Sequence, residues 1–117
     1  MIPRRDLVHL HDILEAARAV EKALLGEDEA AFLRDERLQG AVAQRLFAVG
    51  VSASRLSRAV RLEARDIAWR ELADAGESLV RPGAALDWRL VWCMARRDLP
   101  QIVLTVSALV RGDSSAA

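Results

Sequence analysis

The sequence predicts an all-α protein, a five-helix up-and-down bundle, and three observations carry that expectation. Apolar residues recur at helical spacing along the whole 117-residue chain, and no stretch alternates β-branched residues as a strand would. Half of the residues are apolar and turn formers are sparse, which marks a globular chain large enough to bury its own core. Clear breaks separate the helical stretches, Gly26 stopping the first and Pro82-Gly83 interrupting the chain before the last.

Helix one carries Leu7, Leu10, Leu14, Ala17 and Leu24 on one face, with Asp6 as its expected cap and Gly26 as its stop. A short second helix, "DEAAFLR", follows the "GED" turn. Helix three is expected over 35–57, with Leu38, Val42, Leu46, Val49, Ala53 and Leu56 as its buried stripe. Gly50 lies inside it at a cost of about 1 kcal/mol relative to Ala, and close approach of another helix is the expected reason. Helix four starts near Trp69 and must stop by Pro82. Helix five starts after Asp87 and carries Leu90, Val91, Met94, Ile102, Val103, Val106 and Leu109, kinked or restarted by Pro100. One domain is expected over 1–111, with 112–117 as a disordered tail. Trp88, Trp92, Val91, Val49 and Phe47 exceed what one narrow core can hold, so an exposed apolar patch and a two-fold homodimer are expected.

Charge and composition narrow the function classes. Net charge is zero, which removes overall basicity as an argument for nucleic-acid binding. Only residues 38–70 have a local positive excess, six basic against two acidic. Within them Arg55, Arg58, Arg61 and Arg65 would form a stripe if the helix persists, read chiefly as a solvated face and secondarily as a phosphate-tracking surface. It has no interleaved aromatics, hence no stacking platform for unpaired bases. The single Cys93 excludes an internal disulfide, and the start "MIPRRDLVHLHD" is no signal peptide, so a cytoplasmic setting is expected. No apolar run approaches the roughly 18 residues of a membrane span.

Candidate chemistry is thin. His9 and His11 are the only histidines, and on a helix they point about 200° apart, so they cannot share a metal. Cys93, between Trp92 and Met94, reads as a buried inert thiol. No nucleophile–His–acid set and no glycine-rich phosphate loop is present. Neither a metal nor a cofactor is expected.

Four segments resemble the HepT-like branch of the HEPN superfamily, and their order and spacing carry the resemblance. They are "PRRDLVHLHDILEAARAVEKAL", "FLRDERLQGAVAQRLFAVG", "IAWREL" and "LDWRLVWCMARRDLP". The resemblance implies small all-α dimers that act as ribonuclease toxins beside a minimal nucleotidyltransferase antitoxin. It also implies a motif at the end of helix four: an Arg, usually followed by Asn, then a His a few residues on, then often a Tyr. Counted back from Leu86-Asp87 and Val91-Trp92, those places hold Gly76, Glu77, Arg81 and Gly83. No His follows His11 and the chain has no Tyr, so the mismatch does not depend on register. Phe47 and Val51 stand where the family tends to have acidic groups near the cleft.

In the family the His serves the 2′-hydroxyl as acid or base, and the Arg stabilises phosphate charge. An arginine at position 81 can donate to phosphate but cannot accept a proton near neutral pH. Silencing by attachment of AMP to the motif Tyr is likewise impossible without a Tyr. The leading reading is thus a HepT-like toxin–antitoxin component with a degenerate ribonuclease motif, acting as a non-catalytic dimeric module with a nucleotidyltransferase as candidate partner. One alternative is an active, metal-independent ribonuclease with a relocated site built from Arg81, Glu77 and Arg45 or a helix-one His. The other is an RNA- or nucleotide-binding module using Arg81 and the Arg55 to Arg65 stripe, recognisable by steep salt dependence.

Overall fold

The structure, a computed structural model, describes residues 2–81, 83 and 85–112. Every element among them is helical: α1 (Arg4–Ala23), α2 (Glu29–Arg34), α3 (Glu36–Ser54), α4 (Arg58–Glu63), α5 (Trp69–Ser78), α6 (Trp88–Cys93) and α7 (Leu99–Arg111). A π-helical segment, Met94–Asp98, joins α6 to α7 as one rod. The described residues thus make six rods where five were expected. The additional rod is α4, whose first turn is set by Ser57: its hydroxyl accepts from Val60 N–H at 3.4 Å. Seen as sequence, "RAVRLE" is too short to show an apolar period of its own beside helix three.

Capping residues fix most other boundaries. Asp28, Asp35 and Asp87 accept backbone N–H groups of Ala31 (2.8 Å), Leu38 (3.0 Å) and Arg89 (3.1 Å) at the starts of α2, α3 and α6. Gly26, at φ +80°, ends the turn after α1, and Gly112, at φ +78°, ends α7 in the left-handed region that favours glycine. Pro82 lies outside the described residues, as does the tail beyond Gly112; α5 already ends at Ser78. Ahead of Pro100 the rod widens: Leu99 N–H donates to Met94 O, five residues back. This restart accommodates a proline that has no N–H and would crowd the carbonyl one turn before it.

Asp6 corrects the expected cap. The helix begins at Arg4, capped by Pro3 without a side-chain bond, and Asp6 is completely buried in the first turn. Its two carboxylate oxygens accept from Ser57 N–H (2.8 Å) and Ser57 Oγ–H (2.9 Å), tying the start of α1 to the start of α4.

The core lies between α1, α3, α5 and α7. Helix α1 packs on α3 and α7, and α3 packs on α5. Leu10, Ile13, Val20, Val42, Leu46, Val49, Leu99, Val106 and Leu109 are almost wholly buried there. Val42, Leu46, Val49 and Ala53 form the α3 stripe as expected, with Leu38 half-buried at its start; Leu56 is buried too, but in the turn beyond the end of α3. The aromatic surplus is partly absorbed. Val49 and Val91 are buried, and Trp88 and Trp92 pack on the buried Phe32 with ring centroids 6.1 Å and 5.4 Å away. Arg96 lies over the Trp92 ring at 5.0 Å and donates to Glu27 O at 3.0 Å. Among the described residues the exposed large apolar side chains are instead Val8, Leu25, Leu62, Val80, Leu90 and Leu104.

Trp69 closes the α4–α5 turn, its Nε1–H donating to Ala64 O at 3.0 Å in a buried setting. Trp69→Phe keeps most of the ring but removes the indole donor, leaving the Ala64 carbonyl with the Ile67 N–H at 3.2 Å. It should lower unfolding free energy by roughly 1–2 kcal/mol in a denaturant titration.

Candidate functional site

The end of α5 and the turn beyond it hold the four positions that the resemblance singles out, and the fold treats them differently. Trp69, Leu72 and Gly76 are the buried residues of α5 and face α3. Gly76 meets Gly50 of α3: a Cβ built on Gly76 would lie 2.9 Å from Gly50 Cα, and one on Gly50 would lie 3.0 Å from Gly76 Cα. The close approach expected of Gly50 is present, and its counterpart is Gly76. Glu77, one residue further round α5, is exposed, as are Arg81 and Gly83 beyond the helix. Gly83 takes φ +74° in the turn that leads to Asp87. Among the described residues no hydrogen bond joins Glu77, Arg81 and Arg45 to one another.

Two grooves mark the surface of the fold, and none of these four positions lines either of them. One, of about 490 Å³, runs between α5 and the α6–α7 rod, with Leu46, Leu72, Ala75, Met94 and Ile102 as its floor and Asp66, Glu71, Arg97 and Asp98 at its edge. The sequence offered no signal for it, because its walls come from segments far apart in the chain. The other, of about 430 Å³, lies between α1 and α3, where Phe47 and Val51 meet Asp12, Glu15 and Arg45. Acidic groups do stand beside Phe47 and Val51, but α1 supplies them.

The remaining candidates are dispersed. Arg55 caps the end of α3, Arg58 opens α4, Arg61 is in its last turn and Arg65 lies beyond it. The helix does not persist through 55–57, so these four arginines do not share one helical face as the stripe required. Arg55, Arg58 and Arg65 are exposed and Arg61 is half-buried. His11 is exposed; His9 is half-buried, its Nδ1 enclosed without a hydrogen-bond partner. Cys93 is half-buried where full burial was expected, since it flanks the Val91–Ala95 core face of the rod. Among the described residues no group of three or more His, Cys, Asp or Glu side chains is placed to hold a metal ion. No helix among them is long and apolar enough to cross a membrane.

The family model described as "Ribonuclease HepT-like" matches residues 13–109, from the middle of α1 nearly to the end of α7. The chain belongs to the HepT-like family. Curated relatives agree. A "Probable ribonuclease HepT" of Thermococcus cleftensis is 28% identical over 97 residues, covering 80% of this chain and 86% of that protein. A "Putative RNase" of Methanocaldococcus jannaschii is 25% identical over 100 residues, covering 85% and 92%. A third relative, a "Gamma-glutamylcyclotransferase and putative RNase" of the same archaeon, is 28% identical over 100 residues. The match covers 85% of the HepT-like chain but 45% of that relative, so it spans less than half of the larger protein. No solved structure matches the chain.

Proposed function

We propose that this HepT-like chain is a toxin–antitoxin component whose ribonuclease chemistry is lost, and that it acts as a non-catalytic dimeric interaction module with a minimal nucleotidyltransferase as its candidate partner. The observation that carries this reading is the content of the motif positions: Gly76, Glu77, Arg81 and Gly83 bring neither an imidazole nor a phenol, and the chain has none after His11. General acid–base help of the kind a motif His supplies is worth about 10²- to 10⁴-fold. Glycine at position 76 also removes the donor that would stabilise phosphate charge there. Glu77 is the one carboxylate among the four, and a relocated site would need it to converge with Arg81 and with Arg45 or a helix-one His. Exposed apolar residues, Leu90 and Leu104 among them, support association through the fold's surface.

The deciding experiment is metal-free RNA cleavage by the purified protein beside Arg81→Ala and Glu77→Gln controls from the same preparation. None of the three is expected to cleave above background. Cleavage by the wild type that either substitution abolishes would establish a working site around those residues and overturn the reading. Light scattering at micromolar concentration checks the second half of the proposal, and a monomer there would remove the dimer.

A further inference from the structure

The contact at Gly76 bears on what the loss of the motif did to the fold; the inference drawn from it rests on the proposed correspondence between Gly76 and the motif arginine. A Cβ on Gly76 would stand 2.9 Å from Gly50 Cα, 3.1 Å from Leu46 O and 3.4 Å from Gly50 N. The reciprocal Cβ on Gly50 would stand 3.0 Å from Gly76 Cα, 3.2 Å from Leu72 O and 3.3 Å from Ala73 O. Every one of these atoms is main chain. None can rotate aside, so only separation of α3 from α5 makes room. Neither glycine has a positive φ, so space, and not backbone freedom, is what requires them.

We infer that Gly76 seals the cleft: the missing side chain removes the phosphate donor and also lets α5 seat main chain against main chain on α3. An arginine restored at position 76 would therefore part the two helices instead of rebuilding the site. It would also begin within the buried Trp69–Leu72–Gly76 face of α5, where a guanidinium is costly to desolvate.

The neighbouring position supplies the control, because Glu77 is exposed on the same helix. Thermal unfolding would be followed by circular dichroism for wild type, Gly76→Ala, Gly76→Arg and Glu77→Arg. Gly76→Arg should lower the melting temperature by roughly 10 °C or more, or prevent folding, whereas Glu77→Arg should stay within about 2 °C. Gly76→Ala keeps the test alive if the arginine variant does not fold. It should melt below wild type even though Ala is the better helix former. A Gly76→Ala protein as stable as wild type or more so would overturn the inference. So would a Gly76→Arg, Arg81→His double variant that melts with wild type and cleaves RNA. Cleavage by the unsubstituted protein would defeat the proposed function and still leave the order of melting temperatures to decide this point.

Discussion

Phe32→Ala should lower the unfolding free energy by about 4 kcal/mol, the largest effect expected from truncating a single core residue here. Phe32 is fully buried although it sits in a six-residue helix that could not persist alone. Its ring makes an edge contact with Trp88 and a tilted one with Trp92, and so holds α2 against α6. Its carbonyl accepts from the buried Gln39 Nε2 at 3.0 Å, which fixes α2 to α3. Truncation removes the ring's transfer free energy, opens a cavity and cancels two aromatic contacts worth roughly 0.5–1.5 kcal/mol each. Denaturant titration gives the stability, and fluorescence locates the damage. Trp88 and Trp92 should gain water and shift their emission to the red even where the protein remains folded. Unchanged emission together with a loss under about 1 kcal/mol would show that α2 is not anchored through Phe32.

Asp6→Ala should cost about 3 kcal/mol through polar groups and not through volume. Asp6 has no solvent exposure, and both hydrogen bonds to its carboxylate come from Ser57, 51 residues away. Alanine leaves the Ser57 N–H and hydroxyl without their acceptors in a partly buried place, and bonds to a carboxylate are stronger than neutral ones. The effect should grade with what is retained. Asp6→Asn keeps one acceptor for the Ser57 N–H and should lose roughly half as much. Ser57→Ala keeps the main-chain bond and should cost about 1 kcal/mol, with some loss of the α4 cap included. A double-mutant cycle between Asp6 and Ser57 measures the coupling directly. Additive effects would mean that this contact does not hold α1 to α4.

The legible parts of the fold were those governed by local chemistry. Asp35 and Asp87 could be seen as helix starts because a carboxylate next to an apolar-periodic run supplies the acceptor that free N–H groups need. Gly50 could be read as a close-approach residue because nothing local justifies a glycine inside a helix. Helix α4 could not, because its cap, Ser57, owes much of its position to Asp6 across the fold. Asp6 itself reads as a cap for the same reason: its local pattern is that of a helix start, while its partner is distant in sequence. The arginines at 55, 58, 61 and 65 share a face only on an unbroken helix, and a three-residue turn disperses them.

The sequence by itself determined the all-α class, most helix starts and the lack of any His or Tyr near the motif, because periodicity, caps and residue identity are local facts. Only the tertiary structure decided that Gly76 lies against Gly50, that Trp88 and Trp92 are engaged by Phe32, and that Asp6 is an internal tether. Each of these depends on which main chains and side chains meet across long separations, and the spacing of residues along a single helix does not specify that.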